Sequence, residues 1–314
     1  MKIALVCWNG HDALADDLIA GVTAAEFESL GHEVDMGPWP NQVKHLVSRF
    51  QACDAIVFGG GSLICPTRMY PMNRMREWAD KTNRPFHVLG PGFRKETETL
   101  SKDQIELNRY IFSRAKTIWV RGLVTEEEML ANGLVFRCDG YGDPGVLYDV
   151  QSSSATLSGT HPRLAMVVRN IPGTEVKNVP NDLVRKFFGR LCDRWVAETG
   201  GSLHFISWRH FRTGYDNDAE AAKSVVQSLP SKLNAVIHKP GDWRDAASLT
   251  CSADAVVSQR LHPTIVALVG GTPTVGLDYQ FRKMEDCASV PGFKHWIATR
   301  LFADGDATID DRVD

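Results

Sequence analysis

No stretch of 18 consecutive apolar residues occurs in this chain, so no transmembrane helix is expected. The start, Met1-Lys2-Ile3-Ala4-Leu5-Val6, runs straight into a short apolar segment without a cleavage-like region, which argues against a signal peptide. No Cys-x-x-Cys pair exists among the seven cysteines, which are odd in number and scattered, several of them inside apolar runs. They read as reduced core thiols of a cytoplasmic protein, and structural zinc is not expected without metal-ligand spacing. Charge of one sign is also lacking: a net charge of -3 gives no sign of a nucleic-acid or polyanion binder. Repeats and low-complexity segments are absent as well.

What is present is ordinary globular material. A 43% hydrophobic and 23% charged chain of 314 residues can bury large cores, and its length suits two domains of about 150 residues each. Apolar runs of strand length, Ile3–Cys7, Ala55–Phe58, His87–Leu89, Thr117–Val120 and Leu134–Cys138, alternate with helical spacing over Asp16–Leu30 and Gln42–Cys53. That alternation predicts βα units and a mostly parallel sheet. Thr125 with Glu128 forms a capping-box pattern that predicts a helix start. The polar, aperiodic residues 151–162 predict a linker, giving domains 1–155 and 156–314. After it the pattern resumes, with strands at Arg163–Asn170, Leu203–Ser207 and Ala235–His238, a helix over Asp182–Glu198 and a short one over Asp245–Ser252.

Chemistry points to one stretch, Asp254–Tyr279. Ala255–Val257 predicts a buried strand, Arg260 and His262 follow it, and Pro263 is expected at the first helical position. Gly270 and Gly271 end that helix, and Pro273–Gly276 begins the next strand. A cation and an imidazole at a strand-to-helix turn lie where ligands bind in open α/β sheets. The helix start favours an anion, and Arg260 adds a fork suited to phosphate or carboxylate. Arg169 ends another predicted strand of the same sheet, so the two arginines are placed to converge on one anion, although each alone would more often be a structural ion-pair member. The same positive surroundings disfavour a charged His262, leaving a neutral imidazole to take a proton. In the first half, Gly59-Gly60-Gly61-Ser62 follows a strand as either a tight turn or a ligand-facing loop; Asp16 and Asp17 either contact a polar ligand or simply favour a helix start. Arg94 reads as a solvated arginine.

The chain resembles the polysaccharide pyruvyl transferases. The resemblance rests on Arg260-Leu261-His262 with Gly271-x-Pro273 and Tyr279, supported by Gly59-Gly60-Gly61, Val120-Arg121, Asp143-Pro144 and Val167-Val168-Arg169-Asn170. It implies a GT-B-like fold, two Rossmann-like domains with mostly parallel sheets facing across a cleft. It also implies transfer of a pyruvyl group from phosphoenolpyruvate to two hydroxyls of a saccharide, forming a cyclic ketal and releasing phosphate. Arg169, Asn170, Arg260 and Leu261 would then bind substrate with Gly60, Gly61, Asp17 and either Arg282 or Lys283, and His262 would be the acid/base. No metal or organic cofactor is implied, and an oligomer is compatible with the resemblance. The first loop departs from the family's Asn-x-Gly-Asp-Asp/Glu, reading Ala13-Leu14-Ala15-Asp16-Asp17. A GT-B glycosyltransferase using a nucleotide-sugar and a non-catalytic anion-binding member are the alternatives.

Overall fold

The computed structural model describes residues 1–10, 13–36, 43–64, 76–78, 80–93, 100–134, 136–150, 154–170, 181–210, 217–230, 233–278, 282–289 and 297–299. Of the residues singled out above, Arg94, Tyr279 and residues 151–153 of the expected linker lie outside these. The chain divides into two compact units: residues 1–11, 16–147 and 285–294 form the first, and residues 12–15, 148–284 and 295–314 the second.

The first unit carries β1 (Lys2–Val6), α1 (Leu14–Ser29), β2 (Glu33–Met36), α2 (Val43–Gln51), β3 (Ala55–Gly59), β4 (Phe86–Leu89), α3 (Lys102–Arg114), β5 (Ala115–Val120), α4 (Leu123–Ala131) and β6 (Gly140–Tyr141). Its sheet runs β2-β1-β3-β4-β5-β6, with each pairing parallel. A strand covered on both faces alternates its side chains between two cores. Accordingly Ala4, Val6, Ile56 and Phe58 pack in one cluster with Phe112 and Met129, while Ile3, Leu5, Cys7 and Val57 pack in another with Ile19 and Ala20 of α1. The expected strand over Leu134–Cys138 is not formed among its described residues. Leu134 is buried and Phe136 stacks on Phe112 at 5.4 Å, so this apolar run is a packed loop, and the chain rejoins the sheet through the Asp139 N–H on the Ile118 carbonyl (2.7 Å).

The second unit carries β7 (Arg163–Val167), α5 (Asn181–Thr199), β8 (Ser202–Ile206), α6 (Asp218–Ser228), β9 (Ala235–His238), α7 (Trp243–Cys251), β10 (Ala255–Ser258), α8 (Leu261–Val269), β11 (Thr274–Leu277) and β12 (Ile297–Thr299). Its parallel sheet runs β12-β11-β10-β7-β8-β9. The apolar face of α5 is centred on Val184, Phe188 and Cys192 beside Phe187, with Leu191 and Trp195 only partly buried against the same core. The units change at 147/148, whereas the composition placed a boundary at 155/156. Residues 154–162 are not slack: Leu157 is buried, its N–H donates to Ser252 Oγ (2.9 Å), and Arg163 Nη1 donates to its carbonyl (2.8 Å). The final helix α9 (Lys283–Ala288) begins in the second unit and ends in the first.

Six cysteines lie among the described residues and all are free thiols. Burial pushes Cys7, Cys192 and Cys251 up to about 12, which removes them as nucleophiles at neutral pH. Within the sheet of the second unit, His204 is buried with its Nδ1 3.1 Å from His238 Nε2 and its Nε2 2.9 Å from Ser202 Oγ, a pair that sequence spacing did not reveal. Burial first, then the neighbouring His238 and Arg163, lowers the His204 pKa to about 4. An unfolded histidine, near 6.5, takes up its proton sooner than this one. The stabilisation is therefore fully present above pH 6.5 and is lost as pH falls toward 4, at most about 3 kcal/mol. Thermal unfolding of the wild type is expected to show a falling midpoint from pH 7 to pH 5, with a flatter profile for His204→Gln.

Candidate functional site

The second sheet places β10 directly beside β7, with Ser258 opposite Val167, so the residues that follow the two strands emerge together at their carboxyl edge. Beyond β10 the Gln259 N–H donates to the Val167 carbonyl (2.9 Å), and beyond β7 the Arg169 N–H donates to Gln259 Oε1 (2.9 Å). Arg169 and Gln259 are both buried there, and Asn170 follows, half-buried.

Helix α8 starts at this edge. Arg260 is its N-cap residue, with extended backbone, and no side chain caps the helix. Its backbone is clamped instead: Ser258 Oγ accepts from the Arg260 N–H (3.0 Å) and donates to its carbonyl (2.8 Å), and Thr264 Oγ1 donates to the same carbonyl (2.9 Å). Leu261, His262 and Pro263 are therefore the first three helical residues, all buried. Pro263 stands third, not first as expected. The first four N–H groups of a helix have no intrahelical acceptor, so proline fits here equally well. The positive end of the helix dipole thus meets Arg169, Gln259 and the imidazole of His262, an arrangement suited to an oxyanion beside a proton-transfer group.

The Arg260 fork is directed differently from the expectation. Its Nε donates to both oxygens of Asp218 (2.9 and 2.8 Å) and its Nη2 to Oδ1 (2.5 Å), making a charge-assisted two-pronged pair. The Asp218 side chain is 1% exposed and that of Arg260 13%. Asp218 is the first residue of α6, and it also accepts from the Trp208 N–H (3.0 Å) beyond β8. Arg260 is thus a member of a buried ion pair that ties the start of α8 to the start of α6, the ordinary role of a lone arginine at a strand end. Any anion it holds must share it with this carboxylate.

In the first unit the loops beyond the strand ends are laced by backbone hydrogen bonds: Gly60 N–H to the Leu89 carbonyl (2.8 Å), Gly92 N–H to the Gly61 carbonyl (2.8 Å), Gly90 N–H to the Trp119 carbonyl (2.8 Å) and Arg121 N–H to the Pro91 carbonyl (3.1 Å). Gly60 has φ +65, and a Cβ there would meet Ile19 Cγ2 at 2.2 Å. Its glycine is thereby required by close packing on α1. Gly60→Ala is expected to cost about 2–4 kcal/mol, from left-handed backbone plus overpacking, read as a lower unfolding midpoint in denaturant. Gly61 (φ +79) is less constrained, since a Cβ would meet nothing closer than Asp16 Oδ1 at 3.7 Å. Asp17 Oδ1 accepts from the Gly10 N–H (2.7 Å), so this carboxylate fastens the preceding loop to α1.

The family model for polysaccharide pyruvyl transferase matches residues 12–280. The chain belongs to the polysaccharide pyruvyl transferase family. This pyruvyl transferase family member is therefore placed in a family of transferases. No curated protein matches its sequence. Its fold is GT-B-like and is similar to that of a functionally uncharacterized protein from Klebsiella pneumoniae (TM-score 0.54, 13% identity, covering 95% of this chain and 93% of that one). It is also similar to Anabaena HepE in complex with UDP and glucose (TM-score 0.54, 12% identity, 88% and 81%) and to the UDP-GlcNAc 2-epimerase of Methanocaldococcus jannaschii (TM-score 0.50, 12% identity, 90% and 85%).

In this pyruvyl transferase family member, the sheet register brings Arg169, Asn170, Arg260, Leu261 and His262 to one edge. Arg282 (φ +60) and Lys283 follow the carboxyl end of the next strand, β11, where Asp278 Oδ2 accepts from the Met284 N–H (3.2 Å) at the start of α9. Gly60, Gly61 and Asp17 belong to the first unit and have the local roles given above. Sequence reasoning missed Asp218 and Gln259. Asn217-Asp218-Ala219-Glu220 did carry a signal, an N-cap residue followed by acids in a first turn, and the Asn217 side chain indeed accepts from the Glu220 N–H (3.1 Å). Among the described residues no group of three or more His, Cys, Asp or Glu side chains is arranged to hold a metal ion, and no helix is long and apolar enough to cross a membrane.

Proposed function

We propose that the protein transfers a pyruvyl group from phosphoenolpyruvate to two hydroxyls of a saccharide, forming a cyclic ketal and releasing phosphate. The observation that carries this reading is the meeting of Arg169, the start of α8 and His262 at one sheet edge in a chain of this family. Phosphoenolpyruvate bears a phosphate and a carboxylate, and the helix start with Arg169 suits one or both. His262 takes the proton of the first attacking hydroxyl. Across the whole reaction two hydroxyl protons are lost: one ends on the methylene carbon, which becomes methyl, and the other on the departing phosphate. Two C–O bonds to the saccharide form, and the enol phosphate bond breaks. Arg282 and Lys283 are the further cations of this reading. Asp218 holds the Arg260 guanidinium in one orientation throughout.

Phosphate release from phosphoenolpyruvate over a panel of glycosides tests this reading, with calorimetry of phosphoenolpyruvate and UDP-glucose run in parallel. The nucleotide-sugar arm is motivated by UDP in the similar Anabaena protein. Binding of UDP-glucose alone would replace the pyruvyl donor with a glycosyl donor, and binding without turnover on any acceptor would leave an anion-binding member.

A further inference from the structure

We infer that Gln259 is a further ligand of the anionic substrate: its side-chain NH2 hydrogen-bonds an oxygen of the phosphate or carboxylate held between Arg169 and the start of α8. The inference rests on the pyruvyl-transfer reading and names a contact which that reading does not contain.

Three observations carry it. Gln259 is completely buried, at 0% exposure, directly before the N-cap residue of α8. Its amide orientation is fixed, because Oε1 accepts the backbone N–H of Arg169 (2.9 Å) and only the oxygen end of the amide can do so. Its Nε2 is thereby turned to the opposite side of the same amide, and among the described residues this buried group has no hydrogen-bond acceptor. A buried donor without an acceptor is costly, and such groups are exceptional in native proteins. Placed beside Arg169 and a helix N-terminus, where an oxyanion is favoured, the NH2 has a natural acceptor in the substrate. The same side chain then does two things: it fixes the backbone from which Arg169 projects, and it contacts the anion that Arg169 binds.

The test is calorimetry of phosphoenolpyruvate with the wild type, Gln259→Met and Gln259→Glu, each checked for folding by its thermal midpoint. Loss of one hydrogen bond to a charged group predicts 10–100-fold weaker binding for Gln259→Met, roughly. Gln259→Glu keeps an acceptor for the Arg169 N–H but sets a negative charge against the anion, so it is expected to bind at least as weakly as Gln259→Met. In the wild type, the Gln259 side-chain NH2 protons are expected to move downfield and saturate on addition of phosphoenolpyruvate, the direction that a new hydrogen bond to an anion gives. Wild-type binding with Gln259→Met within about threefold of it would sink the Gln259 contact alone. Absence of binding to the wild type would sink the pyruvyl-transfer reading, and this contact with it. If Gln259→Met fails to fold, the wild-type amide resonances decide.

Discussion

His262→Ala is expected to lower kcat for phosphate release by about 10²–10⁴-fold, the usual worth of a positioned proton-transfer group. The loss should fall on kcat more than on KM, because in the proposed reaction the imidazole acts on a proton in flight while Arg169 and the helix start hold the anion. His262 is buried at the second position of α8, so His262→Gln serves as a second variant that keeps more of the side-chain volume. Both are expected to retain binding of phosphoenolpyruvate by calorimetry while turnover collapses. Full activity in either folded variant would remove His262 from the chemistry.

The second large effect is structural. Arg121, beyond the end of β5, is buried with Asp143, Nε to Oδ2 at 2.9 Å, each side chain 1% exposed. Burial lowers the Arg121 pKa, but Asp143, Cys287 and Asp286 outweigh it and raise it overall, so the guanidinium stays charged. Asp143→Ala leaves that charge buried without its partner and also removes the acceptor for the Gly145 N–H (2.9 Å). Breaking a buried pair in this way is expected to cost about 3–5 kcal/mol, a fall in thermal midpoint on the order of 10 °C. An Arg121→Met, Asp143→Leu double variant should lose less than Asp143→Ala, since it leaves neither member of the pair charged without the other. A midpoint for Asp143→Ala within about 2 °C of the wild type would contradict this account of the pair.

The parallel-sheet pattern was legible because buried parallel strands are short continuous apolar runs, and Ala55–Phe58 and Ala255–Val257 lie on the observed strands β3 and β10, while Ala235–His238 matches the edge strand β9, whose Val236 is exposed. The same signal misled at Leu134–Cys138, where hydrophobicity serves loop packing. The capping-box pattern found the helix but not its cap, since Thr125 lies inside α4 beyond the N-cap residue Gly122: its hydroxyl donates to Asp286, 161 residues away, and Asp286 also accepts the Thr125 N–H (2.8 Å). The candidate site divides the same way. That Arg169 and His262 stand at strand ends can be read from the chain. That Arg260 spends its fork on Asp218, 42 residues earlier, and that Gln259 reaches across to Arg169 depend on which strands lie side by side, and no local pattern encodes that.

The glycines at the carboxyl edge of the first sheet have one further consequence. A side chain at Gly60 would strike Ile19, at Gly90 the Pro144 ring and the Gly142 carbonyl, at Gly92 the Arg121 guanidinium, and at Gly122 the Asp286 backbone carbonyl. Four damaging substitutions in one small region therefore meet four different obstacles. A smaller residue at position 19 relieves the clash of Gly60 variants but not their left-handed backbone, and one at position 121 relieves Gly92 variants only by removing a buried charge, whereas Gly122 variants meet a main-chain oxygen that no side-chain change can withdraw. Paired change can therefore recover part of the loss at Gly60 and none of it at Gly122.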